Sequence, residues 1–147
     1  MSSKTLANSL KVVLADTFVL YFKTHSFHWN VTGPHFKSLH ELFEEQYTEI
    51  WQATDIIAER IRTIGEYAPN NFEEMTKVAT LRSSGQTPDE QSMVQILAED
   101  NRAIVKTLYD AMKTAENDND EATVDLMVER IRTHEKAAWM LESSQAK

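Results

Sequence analysis

The 147-residue chain predicts an all-α protein, a four-helix bundle with a short extra helix in the long connection between its second and third long helices. Two observations predict it. Apolar side chains recur every three or four residues through four long stretches, the period of an amphipathic helix, and no stretch alternates as a half-buried strand does. The three Gly and three Pro are gathered into Gly33-Pro34, Gly65 with Pro69, and Gly85 with Pro88, which leaves long runs of uninterrupted chain.

The first helix is expected over residues 5–31, with Leu6, Leu10, Val13, Leu14, Leu20 and Tyr21 on its apolar side, and Gly33-Pro34 ends it. Pro34 suits the first position of a second helix, where a missing N–H costs little. That helix runs through Phe36, Leu39, Phe43, Tyr47, Ile50, Ile57 and Ile61 until Gly65 stops it. The more polar residues 66–87 hold one brief helix, Phe72 to Leu81, with Asn71 as its cap. Thr87-Pro88-Asp89-Glu90 reads as a capping box with Pro at N1. Behind it Met93, Leu97, Ile104, Leu108 and Met112 draw a third stripe, and Asn117-Asp118-Asn119-Asp120 makes a turn. The last helix carries Val124, Met127, Val128, Ile131, Ala138 and Leu141. The short connection around Gly33-Pro34 makes the first two helices antiparallel neighbours, whereas the long stretch before the third allows a crossover. Residues 1–147 are expected to form one domain with a real core.

Composition narrows the function. The absence of Cys excludes disulfides and thiolate metal sites. No segment reads as the ~18 apolar residues of a membrane span, and Met1-Ser2-Ser3-Lys4 lacks the plan of a signal peptide, so a soluble cytoplasmic protein is expected. Fifteen Lys and Arg face 23 Asp and Glu, a formal charge of -8. That balance opposes tight binding to a phosphate backbone and favours attraction of metal cations, although mild acidity also simply keeps a protein in solution.

Four residues of the second helix share one stripe. With His40 at zero and 100° per residue, Glu44 falls at about 40°, Asp55 at about 60° and Glu59 at about 100°. Along the axis His40 and Asp55 are about 22 Å apart, far beyond ligand bonds of ~2 Å. One chain therefore cannot close a site with both ends of the stripe. Two copies of the helix packed antiparallel about a twofold axis can, because His40 and Glu44 of one then face Asp55 and Glu59 of the other. His28, near the end of the first helix, can join His40. Imidazole and carboxylate donors with open positions suit Fe(II), and Zn(II), Mn(II) and Co(II) accept the same set. Each residue also has an ordinary reading: a lone His as a core or surface residue, Asp55 and Glu59 as solvated charges or as partners of Arg60 and Arg62.

The block His28-Trp29-Asn30-Val31, Gly33-Pro34-His35-Phe36, Leu39-His40-Glu41 and Asp55 with Ala58-Glu59-Arg60 resembles the signature of Dps proteins, the mini-ferritins. The likeness extends over the whole chain in helix order and length, but only residues 28–59 are highly specific. It implies a ferritin-like fold, a hollow dodecamer, and ferroxidase sites at dimer interfaces. His28 and His40 would be ligands from one subunit and Asp55 and Glu59 from its partner. Many family members have Asp where this chain has Glu44. The resemblance also implies oxidation of Fe(II), preferably by hydrogen peroxide, storage of the Fe(III) mineral in the cavity and protection against oxidative stress. The Glu-x-x-His pairs of larger ferritins are absent, since Ile131, Lys37 and His25 precede His134, His40 and His28 by three.

Further residues follow from the same reading. Glu121 and Asp125 are placed at an acidic threefold pore, and Asp118 at a helix terminus. Glu41, Glu45 or Glu49 should include cavity-facing acids. Trp29 is read as an interface aromatic with redox work beside the iron as a second role, Trp51 and Trp139 as core or interface residues. His25, one turn before His28, could support it or bind metal, whereas His35 and His134 are structural. Family members that condense DNA often use basic termini, but here the first ten residues hold only Lys4 and the last five only Lys147. Even twelve arms would then bind DNA weakly. The alternative reading is a DNA-binding nucleoid structural protein with an incidental metal site, and a second is a plain helical interaction module.

Overall fold

The computed structural model describes residues 3–145, so Met1, Ser2, Ala146 and Lys147 lie outside the described residues. Five helices follow in order: α1 (Lys4–Asn30), α2 (Phe36–Thr63), α3 (Phe72–Val78), α4 (Glu90–Asn117) and α5 (Glu121–Ser143). Among the described residues there is no strand. At 1.5 Å per residue the long helices measure about 35–42 Å. α1 packs against α2 and α4, α4 against α5, and the short α3 lies on α1. This is the expected all-α, ferritin-like bundle with its extra helix in the crossover.

Side-chain caps start four of the helices. Ser3 accepts from the Leu6 N–H, Asn71 from Glu74, Asp89 from Ser92 and Asp120 from Thr123, each satisfying a donor that the helix itself leaves unpaired. Burial tends to raise the Asp120 carboxyl, but the Thr123 hydroxyl and N–H and the Arg60 guanidinium outweigh it and hold the group below its ordinary range. Asn119 turns the α4–α5 corner at φ 56, a left-handed conformation that Asn tolerates.

Three boundaries differ from the sequence expectation, each for a visible reason. α2 begins at Phe36, not at Pro34: the Glu90 carboxylate accepts from the His35 backbone N–H at 3.2 Å and pairs with His35 Nδ1 at 2.8 Å, holding His35 in a turn. The same carboxylate is thereby diverted from a capping box, so Asp89 rather than Thr87 caps α4 and Pro88 stays outside the helix. α3 stops at Val78 instead of Leu81 because Asp16 of α1 captures the next segment. Its carboxylate accepts from Thr80 N (2.6 Å), Thr80 Oγ1 (2.5 Å), Leu81 N (3.0 Å) and Thr107 Oγ1 (3.2 Å). Asp16 is fully buried, and a buried carboxylate needs such a set of donors.

α1 also corrects the membrane reading. By length and composition it is the helix among the described residues apolar enough to cross a bilayer, with mean hydropathy 1.3 in its most apolar stretch. Its neighbours explain that character: α1 is flanked by α2, α3 and α4, and half of that stretch is buried among them. Leu10, Val13 and Leu20 have no exposed surface, and Lys23 is tied at 2.6 Å to Asp100 of α4. Burial raises the Asp100 carboxyl, opposed by that lysine. Phe43, Ile57, Leu97 and Met127 complete the core between the long helices.

Candidate metal centre

The α1–α2 connection is only residues 31–35, so the end of α1 folds back beside the start of α2 and sets His28 against His40. Gly33 makes the corner at φ +125, where a Cβ would stand 2.6 Å from Glu90 Oε2. The two imidazoles stack with centroids 3.8 Å apart and planes 15° from parallel. Their hydrogen bonds are reciprocal: His28 Nδ1 lies 2.7 Å from the carbonyl of His40, and His40 Nδ1 lies 2.7 Å from the carbonyl of His28. A carbonyl oxygen only accepts, so both Nδ1 atoms carry a proton, and in a neutral imidazole so held it is Nε2 that offers the lone pair. Orientation of ligand imidazoles by such bonds is the usual support of a metal site.

Glu44, one turn after His40, completes a cluster. One ligand atom from each of His28, His40 and Glu44 lies within 4.8 Å of the others, and Glu44 Oε1 is 3.7 Å from His28 Nε2. Two ~2 Å bonds to one ion span at most ~4 Å, a limit that the Glu44–His28 separation already meets. The Glu44 side chain is 59% exposed, so solvent reaches the cluster from its side. His28 is buried, His40 half-buried, and the set fits a divalent cation through two nitrogens and one oxygen.

Within the chain Asp55 and Glu59 stand apart from this cluster. Both are exposed on α2, about 22 Å and 28 Å along its axis from His40 at 1.5 Å per residue. Asp55 borders a groove with Trp51, Thr54 and Ala58. Their alternative role as partners of Arg60 and Arg62 is not what the structure shows. Arg60 binds Asp120 and Thr123, whereas Arg62 donates to the Glu66 carbonyl and lies 4.3 Å over the Tyr67 ring.

Around the cluster lies an aromatic layer that the sequence reading did not assemble. His25 stacks on Tyr47 at 3.7 Å with planes 10° apart, and its Nδ1 is 2.9 Å from the Tyr21 hydroxyl. Tyr47 also meets His28 edge-on at 5.2 Å, and Tyr21 contacts Trp51 at 5.0 Å. Burial and the neighbouring His28 lower the His25 pKa from 6.5, with Glu44 opposing. Burial, Glu44 and Tyr21 raise Tyr47. A signal was present: Tyr47 falls about 20° from His40 on the helical wheel, and Tyr21, His25 and His28 follow at i, i+4 and i+7. Trp29 lies 4.3 Å from His25 yet is 57% exposed, and Trp51 and Trp139 are likewise exposed rather than core.

The remaining assignments divide. His134 is fully enclosed, bonded through Nδ1 to Asn101 Oδ1 at 2.8 Å and accepting from Arg130 at Nε2. His35 is the clip to Glu90. Glu49 pairs in both oxygens with Arg130, so it closes the bundle at that point. Glu121 and Asp125 are exposed at the start of α5, and the cap there is Asp120.

Comparison with known proteins agrees with the fold. Residues 7–147 match the ferritin-like domain model. The chain is 36% identical over 141 residues to DNA protection during starvation protein 2 of Bacillus anthracis, covering 96% of this chain and 97% of that one. It is similar in structure to a Dps protein from Bacillus brevis, with TM-score 0.93, 35% identity, and 97% and 98% of the two chains covered. A Dps protein from Vibrio cholerae, described as a member of a broad superfamily of ferritin-like diiron-carboxylate proteins, matches at TM-score 0.90 and 34% identity over 95% of this chain and 88% of that one. In helix order, in extent and in sequence, the chain belongs to the Dps proteins of the ferritin-like family.

Proposed function

We propose that the protein oxidises Fe(II), with hydrogen peroxide as the preferred oxidant, at sites shared between two subunits, and stores the Fe(III) product inside a homo-oligomeric shell, a dodecamer. The observation that carries this reading is the pair of imidazoles held through Nδ1 beside Glu44. Asp55 and Glu59 of a twofold partner supply the remaining oxygen donors, since two antiparallel copies of α2 bring the ends of its acidic stripe together. Iron is the substrate, and Zn(II) competes for the same donors. Placing two Fe(II) side by side lets one peroxide take two electrons at once, which limits release of hydroxyl radical.

Acids beyond the site serve traffic. Glu121 and Asp125 line an entry pore for cations, and Glu41 and Glu45 face the cavity. The compartment is the cytoplasm. A formal charge of -8 opposes direct DNA binding, so little gel retardation is expected at physiological salt; strong retardation there would favour the nucleoid-structural reading. The deciding experiment is an anaerobic Fe(II) titration of the assembled protein followed by peroxide. Stoichiometric binding and rapid oxidation support the proposal. An iron-inert protein of monomeric size would overturn it.

A further inference from the structure

Residues 32–38, which lead from the α1–α2 corner into the first turn of α2, are all exposed. Apolar packing therefore does not fix this stretch; the core stops at Val31 and resumes at Leu39, beside His40. One side chain of α4 reaches across the gap. The Glu90 carboxylate accepts from the His35 N–H at 3.2 Å and from His35 Nδ1 at 2.8 Å, and it fills the space that a Cβ on Gly33 would take. Among the described residues, the other hydrogen bonds of the corner stay within it or run to α1 and α2. Glu90 is itself buried, in the first turn of α4, where the helix dipole favours a negative charge.

What this clip holds bears on the metal donors. His40 is stacked between His28 at 3.8 Å and Phe36 at 5.0 Å, and Phe36 directly follows His35. Both imidazoles are anchored on main-chain carbonyls, one at the end of α1 and one in the second turn of α2. The spacing of the two Nε2 atoms thus depends on how the start of α2 sits against the end of α1.

We propose that Glu90 is a positioning residue for the metal centre: by pinning His35 and Gly33 it fixes the entry of α2, and thereby the bite of His28 and His40 on Fe(II). The role rests on the ferroxidase reading above, and Glu90 acts through His35 rather than on the ion. Loss of the clip frees the first turn of α2 to swing, so that the two nitrogens meet an ion at varied separations. Groups that orient ligand imidazoles typically carry about 10- to 100-fold in metal affinity. Weaker binding of this kind raises KM and leaves kcat at saturating metal unchanged.

The test is an anaerobic Co(II) titration of the assembled protein, followed by its d–d absorption, together with peroxide-driven oxidation at varied Fe(II). Glu90→Ala is expected to weaken Co(II) binding about 10-fold or more and to raise KM for Fe(II) in step, with kcat and shell mass kept. Glu90→Gln, whose amide oxygen still accepts from His35, should recover part of the affinity. His35→Ala keeps the main-chain bond to Glu90 and should fall between the parent and Glu90→Ala. Glu142→Ala, which removes another carboxylate clip on α4, at Arg102, keeps parental affinity. Parental Co(II) affinity and KM in assembled Glu90→Ala overturn the proposal; if that variant does not assemble, the same result in both Glu90→Gln and His35→Ala overturns it. So does an equal loss in Glu142→Ala, or a loss confined to kcat. A parent that binds no Co(II) and leaves Fe(II) unoxidised would remove the ferroxidase reading itself, and the role of Glu90 with it.

Discussion

Subunit mixing tests the shared site directly. One variant, His28→Ala with His40→Ala, keeps Asp55 and Glu59; the other, Asp55→Ala with Glu59→Ala, keeps the histidines. Each is expected to be almost inactive alone, since neither homodimer retains a complete donor set. The span of about 22 Å between His40 and Asp55 along α2 forbids an intrachain site, so activity can return only across the twofold axis. In a dimer holding one subunit of each kind, one site combines both lesions and the other combines histidines with acids, both intact. Random assembly makes roughly half the dimers mixed, and half of their sites are whole, so about one quarter of parental activity should return. The assay is Fe(II) oxidation by peroxide, followed optically after co-expression or joint reassembly, with activity scaled to assembled protein. Mixed shells no more active than the two parents would refute the shared-site geometry, and full recovery would refute the stoichiometry.

Four other expectations follow from particular contacts. His40→Ala should sharply reduce Fe(II) oxidation while shell size by light scattering is kept; undiminished peroxide consumption would remove His40 from the ligand set. Asp16→Ala strips the partner from the buried Leu81 N–H and releases the α3–α4 segment, a loss of roughly 1–3 kcal/mol readable as a lowered unfolding midpoint. Gly33→Ala forces a Cβ to 2.6 Å from Glu90 at φ +125 and should cost about 1–3 kcal/mol by the same measurement. Burial holds His134 well below 6.5, reinforced by Arg130, so the unfolded chain binds the proton first. Stability contributed by neutral His134 is therefore present above pH 6.5 and lost progressively as pH falls below it; thermal melts against pH should show that decline, and His134→Gln should flatten it.

Helix periodicity and Gly/Pro punctuation located all five helices because both are local properties. The misplaced ends of α2, α3 and α4 share a cause that no local rule contains: Glu90 reaches His35 across 55 residues, and Asp16 reaches Thr80 across 64. Long-range carboxylates overrode short-range caps. In the site, helical spacing put His40 and Glu44 on one stripe, and the short turn before α2 brought in His28. The ring stack and crossed carbonyl bonds could not be read, since they depend on the approach of two helices. Tyr47 was counted only as an apolar position although its place on the wheel pointed at the metal cluster.

Crossed suspension of the two imidazoles has a consequence for how the centre fails. Each ring hangs from the main chain of the other's residue, and a carbonyl survives replacement of the side chain beside it. Losing one imidazole removes the stacked face but leaves its companion's anchor in place, so the surviving nitrogen keeps its aim. Damage to the nitrogen donors should thus come in two separable steps, with the double replacement clearly worse than either single one.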